Sequence, residues 1–341
     1  MTRILHLMAG AEKGGAEGFF ERLLPALSRA GIDQAAAIRG EPNRLKALQD
    51  AAIRTETFRF GGWWDLPTRL GVARMAGREK PDIVLAWMSR AAAVLPRGPW
   101  VGMARLGGYY DLKYYRRCAH LIGNTPDICR YLVEAGVARD RVHLLPNFIN
   151  TTPAPAIERA SLDTPTDVPL LLCLGRLHPN KGFDLAILAL TKLPDAHLWI
   201  AGEGPEDATL RALARSQGVE GRVHFLGWRR DIPALLATAD IFLCSSRHEP
   251  LGNIVLEAWA HGCPIVAAAS QGPGQLIRDG GSGLLVPIED AEAMAAGLAR
   301  LIANPALRAE LAAAGRAAYA RDYTETQIVR GYINLFEEVS R

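Results

Sequence analysis

Ile241-Phe242-Leu243-Cys244-Ser245-Ser246-Arg247-His248-Glu249-Pro250-Leu251-Gly252-Asn253-Ile254-Val255-Leu256-Glu257 is the segment whose reading organises the whole chain. Its first four residues form an unbroken apolar run, the pattern of a strand buried on both faces of a parallel sheet. A polar loop follows, bent by Pro250 and Gly252, where a glycine lets the backbone approach a ligand closely. An apolar helix then begins. Asn253 reads as its cap, and the N–H groups behind it offer a positive end to phosphate or sugar oxygens. Glu249 sits on the loop and Glu257 about one turn into the helix. With 36 acidic residues in 341, two glutamates at this spacing mean little alone; the strand–loop–helix context carries the weight.

The same grammar recurs on both sides. Apolar runs at 3–8, 35–38, 82–87, 100–104, 120–122 and 142–145 predict strands in the first half. Runs at 170–174, 197–201, 223–225, 241–244, 264–267 and 283–286 predict them in the second, and only helical patterns follow residue 286. Between the halves, residues 146–169 hold five prolines and read as a linker. Two consecutive doubly wound α/β domains are the expected architecture, with a cleft between them at the strand carboxyl ends.

Length and composition agree. A chain of 341 residues suits two domains, and 49% apolar with 22% charged residues is an ordinary globular profile. No apolar run approaches the ~20 residues of a membrane span, and the N-terminus shows no signal-peptide pattern. Five cysteines without Cys-x-x-Cys spacing read as reduced, buried thiols of a cytoplasmic protein. Residues 1–150 carry 22 Lys/Arg and 14 Asp/Glu, a net +8; the remainder carries 17 and 22, a net −5. The basic half is either a solvated surface or a face for something anionic, an anionic membrane or a phosphorylated acceptor. Nucleic acid is not expected, since no helix carries a dense basic stripe.

A second loop, Gly175-Arg176-Leu177-His178-Pro179-Asn180-Lys181-Gly182, also leaves a buried strand. Arg176 and Lys181 there are cations suited to the charge that develops on a leaving diphosphate. At the start of the chain, Gly10-Ala11-Glu12-Lys13-Gly14-Gly15-Ala16-Glu17 joins a strand to a helix, and its Gly14-Gly15 pair suits backbone contact with phosphate or a plain turn. Gly202-Glu203-Gly204-Pro205 lacks the third glycine of a dinucleotide fingerprint, and no metal-ligand spacing occurs.

Together these segments resemble the retaining glycosyltransferases of family 4, which have the GT-B fold of two Rossmann-like domains facing a central cleft. Glu249 and Glu257 match that family's Glu-x7-Glu motif, and Gly175, Arg176, Lys181 and Gly182 its donor loop. The resemblance implies an N-terminal acceptor domain over residues 1–165, a C-terminal donor domain over 166–322, and a final helix at 323–341 returning to the N-terminal domain. It implies that Arg176 and Lys181 hold the donor diphosphate, with Gly14 and Gly15 completing the phosphate site. Glu257 would bind the ribose, and the backbone near Gly227 and Trp228 the base. Glu249, with Pro250, Leu251, Gly252, Asn253 and Ile254, would hold the donor sugar. The implied reaction is a metal-independent, retaining transfer from a UDP- or GDP-linked sugar to a glycan or lipid-linked acceptor in cell-envelope polysaccharide or lipopolysaccharide synthesis. No cofactor and no metal are expected, and the implied location is cytoplasmic, peripheral on the inner membrane face.

One departure stands out. Many members place a histidine where this chain has Arg105, in Met103-Ala104-Arg105-Leu106-Gly107-Gly108. Either Arg105 is catalytic and presents a cation to an anionic sugar or acceptor, or it is a brace. The aromatic and cationic stretch Tyr109–Arg117 and the pair Trp63-Trp64 suit sugar stacking, a lipid interface or ordinary surface. A nucleotide-sugar epimerase of the same fold and a non-catalytic nucleotide-sugar scaffold are the alternatives. The first needs acid/base side chains beside the sugar that are not found, and the second is disfavoured by the intact motif residues.

Overall fold

The computed structural model describes residues 2–12, 14–62 and 64–340. The chain divides into two units, Met1–Phe148 with Thr324–Arg341, and Ile149–Tyr323. The first is built on a sheet of seven strands: β1 (Arg3–Met8), β2 (Asp33–Arg39), β3 (Arg54–Phe58), β4 (Ile83–Trp87), β5 (Val101–Leu106), β6 (His120–Gly123) and β7 (Val142–Leu144). Their order is β3-β2-β1-β4-β5-β6-β7, with every ladder parallel. The direction of winding reverses between β1 and β4, and the carboxyl ends of such a pair are where doubly wound sheets bind ligands.

β3 has no counterpart among the apolar runs. It is an edge strand with one neighbour, and its Arg-Thr-Glu-Thr-Phe sequence is half exposed, so burial imposes no continuous apolar pattern on it. The C-terminal helix Glu325–Val339 belongs to this unit. Its Ile328, Tyr332, Leu335 and Phe336 form one stripe that packs with Phe19 and Leu23 of the helix Gly15–Arg29. A reciprocal Thr324–Gln327 capping box fixes where it starts.

The second unit has six parallel strands: β8 (Leu170–Leu174), β9 (His197–Ala201), β10 (Val223–Gly227), β11 (Ile241–Cys244), β12 (Ile265–Ala268) and β13 (Leu284–Val286). The order β10-β9-β8-β11-β12-β13 places the reversal between β8 and β11. The unbroken apolar run of β8 has a direct cause. Leu171 and Cys173 enter the core on one face, while Leu170, Leu172 and Leu174 enter the core on the other.

Residues 149–165, expected at the end of the first domain, group with the second unit. Ile149, Ile157 and Leu162 pack into the core under β8, and the Trp199 indole donates to Thr164 Oγ1 at 2.8 Å. All five cysteines are buried free thiols. Burial pushes Cys118 and Cys263 up to about 12 and Cys244 up to about 11, so none is a thiolate at neutral pH. Among the described residues no helix is long and apolar enough to cross a membrane.

Candidate functional site

The loops that follow β8 and β11 leave neighbouring strands at the point where the winding reverses, and a set of short contacts joins them. Ser245 Oγ donates to the Lys181 carbonyl at 2.9 Å. The Arg247 and His248 amides donate to the Asn180 carbonyl at 2.8 and 3.1 Å. Gly182 allows this approach: its φ is 63°, and a Cβ there would lie 2.2 Å from the Ser245 carbonyl oxygen. Arg247 adds a side-chain peg. Its guanidinium donates to both Asp184 oxygens at 2.7 and 2.6 Å, to Glu289 at 2.7 Å and to the Pro179 carbonyl at 2.9 Å. Burial raises the Asp184 carboxyl, but the Arg247 hydrogen bonds and charge outweigh it and leave the group below the usual carboxylate range.

Across these joined loops Lys181 Nζ pairs with Glu249 Oε2. Their side chains are only 21% and 11% exposed, so the pair is held in a partly desolvated place. The Glu249 backbone is fixed from below by the segment after β12. Its amide donates to Gln271 Oε1 at 3.2 Å, and its carbonyl accepts from the Gly272 amide at 2.7 Å. Arg176, on the same loop as Lys181, is exposed and forms no ion pair among the described residues.

The loop after β9 supports the β8 loop from the other side. The Leu177 amide donates to the Glu203 carbonyl at 3.0 Å, and the Leu177 carbonyl accepts from Glu206 at 3.2 Å. Gly202 lies so close that a Cβ would meet the Gly175 carbonyl oxygen at 1.8 Å. Gly202-Glu203-Gly204 is therefore a packing surface for the loop after β8. Glu203 also accepts from the Trp228 amide at 3.4 Å, beside Gly227, and the Trp228 ring is 47% exposed.

Beyond Pro250 and Leu251 the helix Asn253–Ala260 starts from Gly252, whose left-handed backbone (φ 66°, ψ 28°) makes it the N-cap. Asn253 is thus the first helical residue and not the cap: the turn into the helix needs the left-handed conformation that glycine adopts at little cost. Asn253 and Glu257, four apart, share a face of this helix, and Ile254 packs towards the core.

In the first unit, Gly14 and Gly15 stand at the start of the helix Gly15–Arg29, and the Gly14 carbonyl accepts from Gly18 at 2.9 Å. The nearly buried Glu17 carboxylate accepts from the Ala11 amide at 2.9 Å. The fully buried Arg44 donates to the Ala11 carbonyl at 2.8 Å and to Glu21 at 3.0 Å, pinning the same loop. Lys13, quoted with this segment, lies outside the described residues.

Arg105 is 1% exposed. Its Nε donates to the Tyr332 hydroxyl at 2.8 Å and another nitrogen to Asn147 Oδ1. Its guanidinium carbon lies 4.5 Å from the Phe19 ring centre and 5.1 Å from that of Trp87. Of the two readings of Arg105, this geometry supports the brace: the side chain is spent tying the C-terminal helix to β4 and β5.

Sequence reasoning gave Arg247, Gln271 and Glu203 no role. Arg247 stands inside the deciding segment, but its partners Asp184 and Glu289 are remote in sequence. Gln271 carries no local signal at all. Among the described residues no group of three or more His, Cys, Asp or Glu could hold a metal. The arrangement offers cations for a diphosphate, a carboxylate for sugar hydroxyls, and backbone amides at a helix start.

Comparison with known proteins gives consistent relatives. The family model for glycosyl transferases group 1 matches residues 156–318, and that for glycosyltransferase family 4 matches residues 13–153. The lipopolysaccharide core biosynthesis glycosyltransferase LpsE of Rhizobium meliloti is 39% identical, over 98% of this chain and 98% of its own. LpsD of the same organism, with the same description, is 34% identical over 98% of each. Among solved structures, Anabaena HepE in complex with UDP-glucose matches with a TM-score of 0.86 at 21% identity, covering 99% of this chain and 100% of its own.

Proposed function

The chain is a family 4 glycosyltransferase with the GT-B fold, and on that basis we propose that it transfers a sugar from a nucleotide-diphosphate donor to a growing lipopolysaccharide core, with retention of anomeric configuration and without a metal. The observation that carries this reading is the Lys181–Glu249 pair, held between two stitched loops at the winding reversal of the second sheet. Arg176 and Lys181 take the donor diphosphate, and fixed cations there stabilise the negative charge that builds as the glycosidic bond breaks. Glu249 and the amides of Leu251, Gly252 and Asn253 hold the sugar hydroxyls. Glu257 takes the ribose, and the backbone at Gly227 and Trp228 the base. In the first unit, the amides of Gly14 and Gly15 are assigned to phosphate.

In the proposed step the bond from the sugar's anomeric carbon to the diphosphate oxygen breaks while the acceptor hydroxyl oxygen bonds to the same face of that carbon. The hydroxyl proton passes to the departing diphosphate. Names of the relatives support the acceptor class: LpsE and LpsD are lipopolysaccharide core enzymes. HepE, a structural neighbour, was solved with UDP-glucose, which supports a nucleotide-diphosphate sugar as the donor. The reaction is placed on the cytoplasmic side, with the lipid-linked acceptor providing the contact with the inner membrane.

The test is to incubate the enzyme with lipopolysaccharide truncated in the core and a panel of UDP- and GDP-sugars, all in EDTA. Mass spectrometry reads the added sugar and NMR its anomeric configuration. A single added residue with the donor's configuration is expected. An inverted product, or activity that disappears in EDTA, overturns the mechanism.

A further inference from the structure

Two adjoining hollows open on the first unit, of about 600 and about 300 Å³. They share Arg69, Ala93 and Tyr114, so they form one groove. Their walls are segments that leave the carboxyl ends of three strands. Phe60 follows β3, Ser89 and Arg90 lie on the short helix Met88–Ala92 after β4, and Lys113 and Tyr114 lie on the turn Leu112–Tyr115 after β5. Carboxyl ends are the side on which doubly wound sheets bind their ligands.

The wall chemistry is one-sided. Arg69, Arg90, Lys113, Arg116 and Arg117 line the groove, and among the described residues no carboxylate does. Three of these cations are already engaged: Lys113 pairs with Asp111 at 2.6 Å, Arg117 donates to the Leu95 carbonyl at 3.0 Å, and Arg69 also has a partner. Arg90 and Arg116 are exposed and form no ion pair among the described residues. Like charges gathered on a concave wall raise a local potential that an anion relieves. Beside them Trp64 is 88% exposed and Tyr114 39%. Flat amphipathic rings of this kind receive the apolar face of a sugar while leaving its hydroxyls in water. Trp63, quoted earlier with Trp64, lies outside the described residues.

We infer that this groove binds a phosphorylated saccharide of the acceptor, with phosphate on Arg90 and Arg116 and a sugar ring against Trp64 and Tyr114. The inference rests on the glycosyltransferase reading above and names the acceptor's chemistry. A bilayer is the weaker occupant, because Arg90 and Arg116 line a recess. The volumes fall in the range of small-molecule sites, not of a flat contact face.

The probe is core oligosaccharide released from lipopolysaccharide by mild acid, used with its phosphates and after treatment with alkaline phosphatase. Calorimetric titration of the wild-type chain should show binding on the order of tenfold tighter to the phosphorylated form, the effect of a charge-assisted contact. Arg90→Gln with Arg116→Gln should abolish that difference and raise the acceptor KM on the order of tenfold or more at unchanged kcat. Arg74→Gln, on the helix Leu66–Glu79 outside the groove, is the control and should change neither. Equal binding of both forms by the wild type, or an unaltered preference in the double variant, overturns the proposal. So does a double variant that keeps the preference yet no longer sediments with phosphatidylglycerol vesicles, which would assign the groove to the membrane. Because binding is read without donor, an enzyme that binds the phosphorylated form but transfers no sugar would refute the catalytic reading and leave the groove's assignment standing.

Discussion

Arg105→Lys separates a brace from a catalytic group, because it keeps the charge and removes the fork. In the folded first unit the guanidinium satisfies Tyr332 and Asn147 at once and lies over Phe19 and Trp87. A lysine reaches one of the two oxygens, so one hydrogen bond to a charged group is lost, about 1.5–3 kcal/mol. Part of two buried cation–π contacts goes with it, each worth up to about 2 kcal/mol, and the more strongly hydrated ammonium is costlier to bury. A loss of about 3 kcal/mol is expected. For a unit of this size that lowers Tm by roughly 6–12 °C. Calorimetry reads the melting, and limited proteolysis should show the segment from Thr324 onward becoming cleavable, since Tyr332 is its anchor. Turnover per folded molecule below the transition should stay within a few-fold of the wild type. An unchanged Tm with kcat lowered a hundredfold would refute the reasoning and put Arg105 against the substrate.

Three further expectations concern stability and the loop after β8. His6 is fully buried, and burial pushes its imidazole down to about 3 against the weaker opposing effect of the hydrogen bond between its Nε2 and the accepting Gln34 Oε1. The unfolded chain therefore takes the proton first: stability is complete above about pH 6.5 and falls towards pH 3 by about 1.4 kcal/mol per pH unit. Urea titrations at several pH values should show that slope, and His6→Gln should flatten it. Gly182→Ala forces a Cβ against the Ser245 carbonyl at a positive φ and should destabilise the second unit by about 2 kcal/mol or more, with a raised donor KM, both readable by urea titration and initial rates. Arg247→Met frees Asp184, Glu289 and the Pro179 carbonyl; donor KM should rise on the order of tenfold with kcat less affected, and the stability that the depressed Asp184 carboxyl contributes above the ordinary carboxylate range, and that the wild type loses as pH falls through that range, should be missing in pH-dependent melting.

What the sequence revealed tracks what burial writes into it. Strands covered on both faces, such as β8 and β11, are unbroken apolar runs and were legible without any structure. β3 was not, because an edge strand is free to be Arg-Thr-Glu-Thr-Phe. A proline-rich segment looks like a hinge in sequence, whereas Ile149, Ile157 and Leu162 pack into the core of the second unit. At the site, Lys181 and Glu249 were visible as loop residues after buried strands. Their mutual contact was not, nor were the supports: Arg247, Gln271 and Glu203 act on partners far away in sequence, and no local pattern encodes them. Residue type alone points to Asn253 as the cap, and Gly252 holds that position because the turn demands a left-handed backbone.

The measurement that tests the account most directly is thermal unfolding with saturating UDP, GDP, ADP and CMP in EDTA, on the wild type and on Lys181→Ala. A nucleotide present at about a hundred times its dissociation constant adds ~2.7 kcal/mol of stability, a shift of several degrees. The account expects one nucleotide, UDP or GDP, to raise Tm in EDTA, and expects Lys181→Ala to lose that rise. A chain that no nucleotide stabilises, or a shift that needs a divalent metal or survives in Lys181→Ala, would contradict a metal-free diphosphate site on the loop after β8.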